Sequence, residues 1–379
     1  MNSALSTGVE QVDINSSLGR VLAEDVVSDL NMPPFDRAAV DGFACRREDL
    51  EKELTILETI PAGKPPVKTV KEGECSRIMT GAKVPPGADC VFMVEESELI
   101  GEEKVRFTAA RTKNNISHKA EDIKAGETVI EKGTRIQPQH IAVMASVGWV
   151  RPKVAMQPRI GIITTGDEIV EPHIRPGISQ IRNSNGYQLV AQIRNMGAVP
   201  DYLGIANDDM GVTREMISVA LERDNIILLT GGVSMGDFDF VPKVLEEMNV
   251  EILFRKLAIQ PGKPTLFGVK DRKRIFGLPG NPVSSFNIFE LFVKPLVNKM
   301  MGMDVPYNRL RLPMGKAFER KKGERMQWLP VRLEDGRAYP LEYHGSAHIN
   351  SLVNADGFVS IPIGTLNLEE GELVNVRQI

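Results

Sequence analysis

The spacing of hydrophobic and polar positions changes character along the chain. Up to about residue 150 the apolar runs are short and strand-like: LTILETI (54–60), DCVFMVEESELI (89–100) and EKVRFTA (103–109). The turn clusters PAGKPP and KVPPGAD separate them, and a helical stretch, QHIAVMASVG (139–148), closes this part. From about residue 153 strands and helices alternate. RIGIITTG (159–166) reads as a strand running into a turn, and SNGYQLVAQIRNMG (184–197) as a helix. That helix has a Ser/Asn cap, Tyr187, Val190, Ile193 and Met196 on one face, and Gly197 as its stop. AVPDYLGIA (198–206) reads as a strand, 211–223 as a helix, NIILLT (225–230) as a buried strand and FVPKVLEEM (240–248) as a helix. PTLFGVK (264–270) and RIFGL (274–278) follow as strands, and a helix over 282–298 starts with proline at its first position. Such alternation predicts a parallel sheet with helices on both faces. After Met303 the pattern returns to short strands, clearest in GFVSIPIG (357–364) and ELVNVRQI (372–379). The expected fold class is α/β plus β, in several domains.

Composition narrows the function classes. A chain of 379 residues predicts two to four domains, and 42% apolar with 25% charged residues fits a soluble globular protein. The formal charge of −4, with no Lys/Arg block, argues against nucleic acid as the main partner. No apolar run approaches the roughly 18–20 residues of a membrane span, so no membrane partner is expected. The opening MNSALSTGVEQVD has neither the basic nor the apolar region of a secretory leader. Cys45, Cys75 and Cys90 cannot all pair and form no CxxC, which suits buried thiols in a reducing cytoplasm.

Candidate chemistry concentrates in three loops that follow strands: TTGDE (164–168), TGGVSMGDFD (230–239) and LPGNPVSS (278–285). Ligands of open α/β sheets bind beyond the carboxyl ends of strands, and glycine lets backbone approach them closely. A glycine turn alone is more often structural; three at one sheet edge favour a ligand. Neither a Walker A nor a GxGxxG fingerprint is present, since QPGKPT (260–265) has proline after its Gly-Lys. Asp167, Glu168, Asp208, Asp209, Asp237 and Asp239 all follow strand ends. Singly each reads first as a cap or turn residue. Together they could hold Mg²⁺ or accept N–H bonds from a heterocycle. Lys256 and Lys263 flank LAIQPG; such lysines are usually solvated, but a pair beside a cleft can neutralise an oxyanion. No GxSxG elbow occurs. His344 and His348 stand i,i+4 around a glycine without an HExxH glutamate, a poor zinc pattern. The cleft is therefore expected to take a phosphorylated ligand, a metal and an anionic co-substrate.

Eight motifs then occur in order: DRAAVDGFA (36–44), RIMTGAKVPPGAD (77–89), EDIKAGE (121–127), TTGDEI (164–169), SNGYQL (184–189), TGGVSMGDFDF (230–240), KLAIQPGKP (256–264) and GLPGNPVSS (277–285). The set resembles the molybdenum insertases, the molybdopterin molybdenumtransferase family to which the gephyrin E domain also belongs, from about residue 7 to the C-terminus. The resemblance implies an elongated homodimer with a discontinuous linker and dimer domain (1–30 and 120–152). It also implies a β-rich domain (31–119), a central α/β molybdopterin-binding domain (153–300) and a C-terminal β domain (304–379). The implied reaction inserts molybdate into the dithiolene of adenylylated molybdopterin and releases AMP, with Mg²⁺ as helper, in the cytoplasm. Molybdopterin adenylyltransferase and recipient molybdoenzymes are the implied partners.

Carried onto matching positions, the resemblance assigns Asp41, Thr80, Glu168, Asp208, Asp239, Lys256 and Lys263 to catalysis. Asp41 and Thr80 are expected to reach the site of the other subunit. Gly231, Gly232, Ser234, Gly236, Asp237, Pro279, Gly280, Asn281 and Ser284 are assigned to the pterin nucleotide. Arg325, Ser346 and Lys263 are assigned to molybdate, and Glu168, Asp209 and Asp237 to the metal. The chain departs from the family at Gln260, where lysine is common, at Pro330, where an arginine is usual, and at Ala347, in a GSG-like turn. Two other readings stay open: a molybdopterin adenylyltransferase, which shares the central domain but ordinarily stands alone, and a gephyrin-like scaffold that binds cofactor without turnover.

Overall fold

The computed structural model describes residues 5–232, 240–303, 309–342 and 345–379. The N-terminal part holds a six-stranded sheet: β1 (Gly42–Cys45), β2 (Glu53–Ile60), β3 (Glu74–Ile78), β4 (Cys90–Met93), β5 (Ser97–Ile100) and β6 (Lys104–Phe107). Its order is β4-β1-β3-β2-β6-β5, with β2 and β3 parallel and the other neighbours antiparallel. The stretch 89–100, read above as one strand-like segment, is two strands split by a turn at Val94–Glu96. Cys45 stands opposite both Cys75 and Cys90, so all three thiols form one buried row beside Phe43 and Phe92. Burial pushes the Cys75 thiol up to about 12, which makes it inert.

Helix α1 (Pro138–Ser146) packs with Leu22, Val26, Ile130 and Val154 in a separate small core. Short antiparallel ladders, Val26–Val27 with Thr128–Ile130 and Val9–Gln11 with Lys153–Ala155, tie the two ends of this region together.

The central unit runs β7 (Arg159–Thr165), α2 (Ser184–Asn195), β8 (Val199–Ala206), α3 (Met210–Arg223), β9 (Ile226–Thr230), α4 (Val241–Glu247), β10 (Glu251–Phe254), β11 (Leu266–Lys270) and β12 (Lys273–Leu278). Helices α5 (Pro282–Ile288) and α6 (Lys294–Met300) follow, joined through a π-helical turn at Phe289–Val293 inside the expected 282–298 helix. The sheet order is β8-β7-β9-β12-β11-β10. The first four strands are parallel; β11 alone is reversed, antiparallel to both β12 and β10, which corrects the all-parallel expectation. Only Asp271 and Arg272 join β11 to β12, too few residues for a crossover.

Both faces are covered. Ile226 and Leu228 of β9 point to the core beneath α2 and α5, while Ile227 and Leu229 face α3 and α4. Helix α2 buries Leu189, Ile193 and Met196, but Tyr187 is 50% exposed. A three-residue step falls about 60° short of a full helical circuit, so four such positions span about 180° and the first leaves the buried stripe. Tyr187 instead donates its hydroxyl proton to Glu171 Oε2 at 3.0 Å.

The C-terminal sheet contains β13 (Arg309–Pro313), β14 (Met326–Glu334), β15 (Arg337–Pro340), β16 (Gly357–Ile361) and β17 (Leu373–Gln378). The two-residue strand Ile259–Gln260 adds to β14 in parallel, so the loop carrying Gln260 is stitched to this sheet rather than to the central one. The ring pair Phe286–Phe358, 6.2 Å between centroids, packs the two units together. Pro330 lies buried within β14 opposite Phe358.

Candidate functional site

Three parallel strands deliver their carboxyl ends to one cavity of about 760 Å³. From β7 come Thr164, Thr165, Gly166 and Glu168; from β9, Thr230, Gly231 and Gly232; from beyond β12, Pro279, Gly280 and Asn281. Asp208 enters from the loop after β8, Pro264 from the loop before β11, and Ala347 and Ile349 from the C-terminal unit. Backbone proximity explains the glycines. Gly231 has φ +93°, and a Cβ there would stand 2.4 Å from the Thr165 carbonyl oxygen; one on Gly232, φ +58°, would stand 2.8 Å from Thr165 Oγ1. Glycine alone accepts both the left-handed backbone and the close approach.

Polar side chains from the start of α2 lock these loops together. Asn183 caps the helix, its Oδ1 accepting from Gly186 N at 2.9 Å, while its Nδ2 donates to Thr164 Oγ1 at 3.2 Å and to the Tyr202 hydroxyl at 2.7 Å. Tyr202 donates in turn to Glu171 at 2.7 Å, and burial with that acceptor holds its phenol well above the usual range. Asn185 donates through Nδ2 to Thr230 Oγ1 at 2.8 Å and to the Gly280 carbonyl at 2.7 Å, so one amide spans the β9 and β12 loops. Asn185→Ala is expected to cost about 2 kcal/mol by loss of two buried hydrogen bonds, read as a lower urea midpoint with an unchanged slope. A shift under about 0.5 kcal/mol would remove Asn185 as the clamp. Among the described residues Thr165 Oγ1 and Asn185 Oδ1 have no hydrogen-bond partner although their residues are only 5% and 7% exposed, and both residues line the cavity.

Of the residues assigned from sequence, Glu168, Asp208, Gly231, Gly232, Pro279, Gly280 and Asn281 line the cavity. Ser346 reaches it indirectly: its Oγ accepts from Asn281 Nδ2 at 2.9 Å and its carbonyl from Val283 N at 3.0 Å. Ser284 is buried in the first turn of α5. Asp209 is the N-cap of α3, its Oδ1 accepting from Val212 N at 2.9 Å, and it is not among the lining residues. Lys256 and Lys263 lie exposed on the loop that also carries Pro264; Leu257 N donates to the Lys263 carbonyl at 2.9 Å, closing that loop. Arg325 is half-buried, its carbonyl accepting from Arg320. Asp41 and Thr80 stand together in the N-terminal part, outside the cavity lining of their own chain. The Thr80 hydroxyl and N–H each donate to Asp41 Oδ1 at 2.6 Å and hold its carboxyl below the usual range. Ser234, Gly236, Asp237 and Asp239 lie outside the described residues.

The site also contains residues not picked out from sequence: Thr164, Thr165, Arg182, Asn183 and Asn185. The available clue is the run RNSN (182–185) at the start of an apolar-periodic helix, in which a Ser/Asn cap is the ordinary reading. As to a metal, among the described residues Glu168 and Asp208 are the carboxylates lining the cavity, and no cluster of three His, Cys, Asp or Glu could hold an ion. Two carboxylates suit Mg²⁺ shared with phosphate oxygens, not an all-protein cage.

Comparison with known proteins covers the whole chain. Residues 1–148 match the MoeA N-terminal region (domain I and II), 161–299 a probable molybdopterin binding domain, and 311–379 the MoeA C-terminal region (domain IV). The molybdopterin molybdenumtransferase of Staphylococcus epidermidis is 34% identical over 96% of this chain and 90% of its own. That of Bacillus subtilis is 34% identical over 98% and 90%. Two structures of MoeA, a molybdopterin biosynthesis protein from Pyrococcus horikoshii, superpose with TM-scores of 0.81 and 0.85. They share 35% and 29% identity, covering 99% and 100% of this chain and 95% and 97% of theirs. A standalone adenylyltransferase would not carry the flanking N- and C-terminal regions. With matches to all three regions and a third of its residues shared along nearly its full length, the chain belongs to the molybdopterin molybdenumtransferase family.

Proposed function

We propose that this protein inserts molybdate into the dithiolene of adenylylated molybdopterin, releasing AMP and the finished molybdenum cofactor. The observation that carries this reading is the single cavity in which three glycine-bearing strand ends meet two carboxylates in a chain of this family. The protein's own part is binding and positioning, since the dithiolene sulfurs are the nucleophiles and no activated protein nucleophile is required. Backbone at Gly231, Gly232 and Gly280 lets a phosphoanhydride approach closely, while Asn185, through Thr230 and Gly280, keeps two of the loops at fixed separation. Glu168 and Asp208 would hold Mg²⁺, which when bound supplies charge neutralisation for the departing phosphate. Ser346, held on Asn281, Lys263 and Arg325 are assigned to molybdate on the family pattern, and Lys256 to charge neutralisation beside it.

The same proposal includes a homodimer. Val9, Leu18, Val27, Leu30 and Val150 are exposed apolar residues of the region assigned to linker and dimer contacts, surface that a second copy would cover. Asp41 and Thr80 do not line their own chain's cavity, which supports a role at the partner's. Three free buried cysteines favour a reducing cytoplasm, and among the described residues no helix is long and apolar enough to cross a membrane. An adenylyltransferase would supply the substrate and recipient molybdoenzymes would take the product. The test is AMP release from adenylylated molybdopterin with and without molybdate at fixed Mg²⁺. Molybdate-dependent release is expected. Tight pterin binding without release would replace this reading by the scaffold.

A further inference from the structure

We propose that Arg182 reads the phosphate of the bound nucleotide, as a ligand-binding residue of this cavity; the inference rests on the nucleotide part of the function proposed above. Charge motivates it. The described lining residues carry two carboxylates, Glu168 and Asp208, and one cation, Arg182. Mg²⁺ on the two carboxylates would offset their charge at one phosphate. Arg182 is the protein cation among the described lining residues that can meet a further phosphate oxygen, since Lys256 and Lys263 are not among them.

The fold places Arg182 for this task. Ile169–Val170 pairs in parallel with Ile181–Arg182, setting Arg182 opposite Val170. Ile181 N donates to the Glu168 carbonyl at 2.8 Å and Asn183 N to the Val170 carbonyl at 2.8 Å, which pins the backbone on both sides. The side chain is exposed, and its Nε donates to the Ile174 carbonyl at 3.3 Å, steadying the guanidinium while its terminal N–H groups have no described carboxylate partner. A guanidinium offers paired donors that match a phosphate. Arg182 also immediately precedes the cap of α2, whose first N–H groups carry the positive end of the helix dipole. The same cavity also holds an unmet hydrogen-bonding group: the Thr165 hydroxyl, in a residue only 5% exposed, has no partner among the described residues.

The test is equilibrium titration of AMP and of adenosine into wild type, Arg182→Ala and Arg182→Lys, with thermal melting to establish that each variant folds. Wild type is expected to prefer AMP over adenosine. Arg182→Ala is expected to bind AMP about 10- to 100-fold more weakly, the effect of losing a charged hydrogen bond, with adenosine unchanged. Arg182→Lys is expected to recover part of that loss and to keep the salt dependence that Arg182→Ala reduces. An AMP affinity for folded Arg182→Ala within twofold of wild type would overturn the proposal, as would a wild type that binds AMP no better than adenosine. A parallel AMP-release assay separates the two failures. If wild type turns over while Arg182→Ala binds AMP normally, only the arginine assignment falls. If wild type binds AMP through Arg182 but releases none from substrate, the phosphate reader stands and the insertase reading falls. A loss confined to molybdate dependence would assign Arg182 to the other oxyanion and overturn the phosphate assignment.

Discussion

Gly231→Ala is expected to destabilise the protein by about 3 kcal/mol and to abolish ligand binding at the strand ends. Two costs add at this position. The backbone is left-handed at φ +93°, which costs a non-glycine residue on the order of 1–2 kcal/mol. The new Cβ would also stand 2.4 Å from the Thr165 carbonyl oxygen, a backbone atom that cannot rotate away, and overpacking of this kind costs about 1–3 kcal/mol. Relief requires the β7 and β9 ends to separate, and the cavity is built from those ends. Two other glycines isolate the terms. Gly204 has φ +109° with nothing within 4 Å of its Cβ position, so Gly204→Ala should show backbone strain alone, about 1 kcal/mol. Gly280 has an ordinary φ and its nearest neighbour is 3.7 Å away, so Gly280→Ala should leave stability nearly unchanged. Urea unfolding of the three variants gives the order. Equal losses at Gly231 and Gly204 would show that the Thr165 contact yields easily.

The second large effect is expected at the opposite end of the same sheet. Asp224, the C-cap of α3, is 0% exposed, and among the described residues neither carboxylate oxygen has a well-formed hydrogen bond, the Arg159 guanidinium standing at the limit of reach. Its Oδ2 packs against Gly161 so closely that a Cβ there would stand at 2.6 Å. Burial, then the like charge of Asp201, pushes its carboxyl up to about 6; Arg159, with Nε 3.5 Å from Oδ1, and Arg223 only partly oppose this. In the unfolded chain an Asp titrates near 4, so between the two values the native state retains a proton that the unfolded state has lost. The group therefore costs nothing below about pH 4, and its penalty grows as pH rises toward 6. Above that it reaches a plateau of about 3 kcal/mol, two pKa units at ~1.4 kcal/mol each. Asp224→Asn is expected to be more stable than wild type by up to about 3 kcal/mol at pH 7.5, with the advantage vanishing near pH 4. Denaturation midpoints of both proteins across that range decide it. Parallel curves would mean that Asp224 stays ionised and that Arg159 is a better partner than 3.5 Å implies.

The sequence by itself determined the order of elements and the sheet edge that carries the site. Period-2 and period-3.6 patterns are local, so β7, α2, β9, α4 and β12 could be located from neighbouring residues alone. Glycine after an apolar strand records a backbone demand that is also local, which is why the turn at Gly231 and Gly232 was legible. What only the tertiary structure decided was which polar groups meet. Asp209 and Asp208 are adjacent in sequence, yet one caps α3 and the other lines the cavity, because a capping bond is settled by three residues and a cavity by four loops. Lys256 and Lys263 stand on a loop whose Pro264 lines the cavity, and its tie to the C-terminal sheet through Gln260 joins distant segments that no local pattern connects. Asn185 reads in the sequence as a helix-start residue, and Arg182 carries no signal there. The partners of Asn185, Thr230 on β9 and Gly280 beyond β12, are brought to it only by the parallel stacking of β7, β9 and β12. Long-range register of that kind leaves no period in the chain, because the residues it joins are separated by whole strand–helix units.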